Sequence, residues 1–108
     1  MASTPDAFPN KVILVAHLSA KPGKGDDLQR YLKAIHKFAN SDGEPGCLTF
    51  RTSRYGDKFV VFEEYADKAA IAKHFEGEQF KALAAAVPEI AEGGPTLAYY
   101  EEFTSASA

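Results

Sequence analysis

One histidine closes the stretch Glu64-Tyr65-Ala66-Asp67-Lys68-Ala69-Ala70-Ile71-Ala72-Lys73-His74, the part of the chain with the most chemistry to offer. The aromatic-rich run over residues 59–65 reads as a strand ending in two carboxylates. Asp67 reads as a helix N-cap, and His74 as a single imidazole beside Phe75 on that helix's apolar face. With an ordinary pKa near 6.5, an imidazole in a dry pocket can take a phenolic or enolic proton near neutral pH. A buried histidine bonded to a backbone group or a carboxylate is the plainer alternative. Residue spacing alone leaves both open.

The other candidates are weighed in the same way. His17 alternates with Ile13 and Val15 on one strand face; it is either a satisfied core or interface residue or, if that face encloses a pocket, a second imidazole. His36 borders an apolar helical stripe and is expected at the surface. The three histidines have no i, i+4 pairing and no cysteine companion, so no metal site is expected. Glu63 and Glu64 fall on opposite faces of their strand, so they are not a glycosidase-like carboxylate pair. Arg51, expected to share a face with Cys47 and Thr49, is placed to bind an anionic substrate group or to pair with a carboxylate. Cys47 reads as a small buried residue at a strand start and a poor nucleophile. The chain has eight Phe and five Tyr, most of which must be core. Phe50, Phe62, Tyr65 and Phe75 are the ones proposed to line a cavity for a flat aromatic or alicyclic ligand.

The elements that must position these groups follow from periodicity. Residues 11–19 form a strand with apolar residues on both faces, which means both faces are covered. Residues 21–25 make a turn, and Asp26 or Asp27 starts a helix whose apolar stripe is Leu28, Tyr31, Leu32, Ile35, Phe38 and Ala39. After a breaker segment at 40–46 come a strand over 47–54, a hairpin turn at 55–58 and a strand over 59–65. The helix over 67–76 is interrupted by Gly77. A second helical piece carries Phe80, Leu83, Ala84 and Val87; Gly93-Gly94-Pro95 ends it, and 96–103 is the last strand.

That order, β-α-β-β-α-β, is the ferredoxin-like arrangement of the α+β class, an antiparallel sheet with helices on one face only. The other face needs a cover, and the economical one is a second copy of the chain. A homodimer is therefore expected from patterning alone.

At 108 residues the chain is expected to be one domain over 11–103, with flexible tails at 1–10 and 104–108. Its net charge of −3, with scattered lysines and arginines, gives no support for nucleic-acid binding. A single cysteine rules out an intrachain disulfide and suits a reducing compartment. No apolar run is long enough to span a bilayer, and the N-terminal residues lack a basic start and an apolar stretch of the signal-peptide kind. A cytoplasmic protein without membrane partners is expected. No G-x-G-x-x-G follows a strand, so no nucleotide cofactor is expected.

Several motifs in order resemble the antibiotic biosynthesis monooxygenase (ABM) domain. They are Lys21-Pro22-Gly23-Lys24, Glu44-Pro45-Gly46-Cys47, the Glu64-x-x-Asp67-x-x-Ala70-x-x-x-His74 corner and Gly77-Glu78-Gln79-Phe80-Lys81. The resemblance covers about residues 11–103 and implies a dimeric α+β barrel. It also implies a cofactor-independent monooxygenase that oxidises a small phenolic, quinol, anthrone or similarly enolisable substrate with molecular oxygen. On this reading His74 is the base, aided by His17 or a tyrosine hydroxyl. Glu64, Tyr65, Phe62, Arg51, Phe75 and Phe50 contact the substrate, with Glu64 as the retained motif carboxylate. Isomerases and non-catalytic, stress-related ligand-binding dimers share the fold and remain alternatives. Haem-degrading relatives use a strand Asn, a helix Trp and a His ligand. This chain has no Trp, and the corresponding places are Ala16 or His17, His74 and Ala84, so haem degradation is not expected. Many relatives also carry a second His where this chain has Gln79 before Phe80.

Overall fold

The computed structural model describes residues 10–103. The tails expected at 1–10 and 104–108 lie, apart from Asn10, outside the described residues. Four strands, β1 (Val12–Ser19), β2 (Cys47–Tyr55), β3 (Lys58–Tyr65) and β4 (Thr96–Tyr100), form one sheet in the order β2-β3-β1-β4. Every neighbouring pair is antiparallel. With α1 (Gly25–Ala39), α2 (Lys68–Phe75) and α3 (Glu78–Ile90), this is the ferredoxin-like α+β fold.

Alternation assigns the two sheet faces. On β1, Val12, Leu14, Ala16 and Leu18 are buried beneath the helices, where Leu18 joins Leu28 and Leu32 of α1, Phe59 of β3 and Leu83 of α3 in the main core. A second, smaller cluster gathers Val12, Leu14, Tyr65, Ile71 and Tyr99 at the α2 end. The opposite face carries no helix. Its rows follow from the strand register: Arg51–Phe62–Val15–Ala98 across the middle, with Ser53–Val60–His17–Thr96 on one side and Thr49–Glu64–Ile13–Tyr100 on the other. Val60, Phe62 and Tyr100 on this face are 38%, 40% and 44% exposed.

Three local features differ from expectation. Helix α1 starts at Gly25 without a side-chain cap, and Asp26 and Asp27 lie in its first turn, where negative charge favours the helix dipole. Strand β4 stops at Tyr100, the last residue paired with β1. A register shift between Cys47 and Thr49 puts Cys47 opposite Tyr65 but Thr49 opposite Glu64. This irregularity turns Cys47 toward the helix side, so it does not share a face with Arg51.

Candidate functional site

The site is built where α2 crosses the end of β3. Asp67 starts α2 by accepting a hydrogen bond from the Ala70 backbone N–H at 2.9 Å. Two turns later Ile71 and His74 are the buried residues of the helix. The segment entering β2 is locked alongside: the Cys47 N–H bonds to the Glu44 carbonyl at 3.1 Å, and the Ala66 N–H to the Gly46 carbonyl at 2.9 Å. Gly46 approaches α2 so closely that a β-carbon there would lie 2.5 Å from the Ala70 side chain. Only a residue without a side chain permits that contact, and the contact carries Glu44 to the imidazole.

His74 is 4% exposed, enclosed by the rings of Phe50, Tyr65, Phe75 and Phe80 with centroids 5.4–5.8 Å from its own. Its Nδ1 lies 2.7 Å from Oε1 of Glu44, itself 4% exposed. Against a carboxylate, Nδ1 carries the proton and donates it to the hydrogen bond, so the lone pair resides on Nε2. Nε2 faces Glu63, with Oε1 at 3.7 Å, beyond hydrogen-bond distance. The Tyr65 hydroxyl donates to that same Glu63 oxygen at 2.5 Å.

Electrostatics separate these groups. Burial pushes the Glu63 carboxyl up to about 8, with the Tyr65 hydrogen bond opposing and the nearby Glu44 adding to the rise. Glu63 is therefore a neutral acid at pH 7. Burial, followed by the neighbouring Glu63, also raises the Tyr65 phenol far above its ordinary range. Cys47 is pushed up to about 11 by burial and then by Glu44 and Glu63, which keeps it a thiol. The second Glu44 oxygen, Oε2, is buried without a hydrogen-bond partner.

His74 and Glu63 are the polar side chains on a small cavity whose apolar wall includes Leu14, Phe50, Val61, Phe75, Phe80 and Leu97. Its free volume of about 30 Å³ holds one or two waters. A larger ligand needs this cavity to widen, and the tilted rings of Phe75 and Phe80, with centroids 4.8 Å apart, form part of its wall. Glu44 and Glu63 address opposite nitrogens of one ring and do not converge on a common point. Among the described residues no three His, Cys, Asp or Glu side chains are grouped to hold a metal ion.

The candidates from sequence divide between two faces. His74, Tyr65, Phe50 and Phe75 meet on the helix side. His17, Arg51, Phe62 and Glu64 lie on the helix-free face. Within one chain, His17 therefore cannot assist His74, and Glu64 does not face it. The carboxylates that do face His74, Glu44 and Glu63, were given no role from sequence. Glu63 was detectable, because period-two alternation puts it on the buried face with Val61 and Tyr65. His36 is half-buried, edge-on to Phe50 with centroids 6.1 Å apart, rather than on the surface.

Residues 11–86 match the family model described as antibiotic biosynthesis monooxygenase. Among solved structures, a protein from Caulobacter crescentus, described as a candidate antibiotic biosynthesis monooxygenase, is 26% identical with a TM-score of 0.79, over 88% of this chain and 92% of that one. A protein of unknown function from Nitrosomonas europaea is 28% identical with a TM-score of 0.78, over 89% and 92%. A Mycobacterium tuberculosis protein shares the fold, with a TM-score of 0.80 at 20% identity over 89% and 98%. A search of curated proteins found no match. The chain belongs to the antibiotic biosynthesis monooxygenase family.

Proposed function

We propose that this family member is a cofactor-independent monooxygenase in which His74 is the general base. The observation that carries the reading is the 2.7 Å contact between Glu44 and His74 Nδ1, which leaves Nε2 free toward an apolar cavity. The substrate class is a small, largely apolar molecule with an acidic C–H or O–H, such as an anthrone, a quinol or a phenol.

For an anthrone the steps balance as follows. His74 Nε2 takes a proton from the reactive CH2, and the carbanion transfers its electrons to molecular oxygen, forming a C–O bond and a peroxide anion. The imidazolium returns its proton to give a hydroperoxide, which loses water to leave a ketone. The substrate supplies all the electrons. The protein supplies the base, the orientation and a cavity that keeps water from the anion.

The assembly proposed with this site is a two-fold homodimer in which the helix-free face, with Ile13, Val15, Val60, Phe62 and Tyr100, meets its copy. This apolar surface runs across all rows of the sheet, and such surfaces mark interaction sites. His17, Arg51 and Glu64 then belong to the interface rather than to the cavity. With its single cysteine the protein is assigned to the cytoplasm; no described helix is long and apolar enough to cross a membrane.

The test is oxygen uptake with anthrone by wild type, His74→Ala and His74→Asn, with sedimentation run alongside. Both variants should stay dimeric and lose roughly 10²–10⁴-fold in turnover, the usual contribution of a general base. The rising limb of the pH–rate profile should disappear with them. Uptake that survives both substitutions would end the base assignment. Exchange of substrate protons without uptake would make the protein a proton-transfer enzyme instead. A folded monomer at micromolar concentration would remove the dimer.

A further inference from the structure

Proton abstraction leaves the second polar group of the cavity unused. Glu63 is 4% exposed, faces His74 Nε2 at 3.7 Å and is gripped by the Tyr65 hydroxyl at 2.5 Å. A carboxyl is costly to bury, and an apolar side chain would fill this place on β3 as Val61 and Phe59 fill theirs. Nε2 and Glu63 Oε1 are only 3.7 Å apart, so one substrate can present a C–H to Nε2 and the outer oxygen of the attached peroxide to Glu63.

We propose that Glu63, held by Tyr65, is the general acid opposite His74 and protonates the departing oxygen when the O–O bond of the substrate hydroperoxide breaks. The proposal rests on the oxidation described above. In the water-loss step, His74 Nε2 takes the remaining C–H proton, and the electron pair of that bond becomes the second C–O bond of the ketone. The O–O bond breaks with its electron pair on the outer oxygen, Glu63 gives that oxygen its proton, and water leaves. The step ends with His74 protonated and Glu63 ionised. One proton passed across the short gap from imidazolium to carboxylate restores both. The Tyr65 hydroxyl stabilises the carboxylate while it exists.

The groups around Glu63 are consistent with an acid held in its neutral form. His74 faces it from α2, Glu44 from the turn before β2, Cys47 from β2, Tyr65 from its own strand and Tyr99 from β4. No lysine or arginine is among these neighbours to supply a positive charge that would ionise it. Burial holds Glu63 protonated up to about pH 8, so the acid is loaded across the neutral range.

The experiment measures oxygen consumed and anthraquinone formed from anthrone by wild type, Glu63→Gln and Tyr65→Phe. Wild type should form one ketone per oxygen, and its ketone-forming rate should fall as pH rises through about 8. Glu63→Gln should still consume oxygen but form ketone roughly 10²-fold more slowly. Anthrone hydroperoxide should accumulate in its place, and the high-pH fall should vanish. Tyr65→Phe keeps the acid without its support and should slow the same step less; it carries the test if the Gln variant does not fold. A one-to-one ratio at wild-type rate in Glu63→Gln, or in Tyr65→Phe where that variant stands in, would overturn the acid role while leaving His74 as base. No oxygen uptake by wild type would instead overturn the oxidation reading, and this proposal with it.

Discussion

Replacing Glu44 by Gln isolates what a carboxylate does for His74. The side chain keeps its size and one oxygen able to accept from Nδ1, so packing around the ring is preserved. What is lost is the negative charge 2.7 Å from Nδ1 at the moment Nε2 takes a proton. A hydrogen bond to a charged group contributes ~1.5–3 kcal/mol, against about 1 kcal/mol for a neutral one. Imidazolium formation should therefore be harder by up to ~2 kcal/mol. Because each ~1.4 kcal/mol on the barrier is tenfold in rate, turnover should fall by up to about 30-fold, with KM little changed. An amide can also turn its NH2 toward Nδ1, which would move the proton to Nε2 and deepen the loss. The assay is the pH dependence of oxygen uptake with anthrone, together with 15N NMR of the His74 ring. The NMR spectrum should show the Nδ1–H tautomer in wild type and a mixture in the variant. Stability should change by no more than ~1 kcal/mol. Wild-type turnover with an unchanged tautomer would refute the argument that Glu44 acts through His74.

Two further outcomes follow from the same contacts. Glu63 titrates near 4.5 when unfolded and about 8 when folded, so above pH 4.5 the unfolded chain binds fewer protons and stability falls as pH rises through this window. Glu63→Gln removes that slope, and its melting temperature should exceed that of wild type at pH 8 but not at pH 4. Gly46→Ala forces a β-carbon to 2.5 Å from the Ala70 side chain, which should cost ~1–3 kcal/mol by overpacking and lower activity by pushing α2 and His74 away from Glu44. Adding Ala70→Gly should restore much of both in denaturant unfolding and turnover; a purely additive double mutant would count against a shared contact.

The division between what the chain displayed and what it concealed has a physical basis. Asp67 caps α2 as its residue type and place before an apolar helix indicate, because capping involves only the next three residues. The positions of the strands along the chain rest on alternation and turn residues, which are equally local. Glu44 carries no such signal. It lies in a turn without periodicity, and its partner is 30 residues away, so only the close approach of Gly46 to Ala70 brings the two together. Glu64 drew attention through a motif, although alternation with Val61 and Tyr65 is enough to put Glu63 on their face of the strand. The expectation that Cys47 shares a face with Arg51 and Thr49 failed because the irregularity between Cys47 and Thr49 breaks period two at the start of β2.

These failures coincide with the site, and the coincidence bears on function. A sequence read for packing expects Val or Leu at position 63, between Val61 and Tyr65 on a sheet face otherwise built from Leu14, Ala16 and Phe50. It also expects a turn carboxylate like Glu44 to be solvated. Two buried carboxyls around one buried imidazole oppose the folding tendency of that region, and each is costly unless its hydrogen bonds are met. Glu63 meets the cost by staying neutral and accepting from Tyr65. Glu44 meets it through His74, with Oε2 left unpartnered. A packing role for His74 would need one such partner at most. Two carboxyls on opposite nitrogens, one hydrogen-bonded to Nδ1 and the other 3.7 Å from Nε2, are what the proposed base and acid roles require and core packing does not.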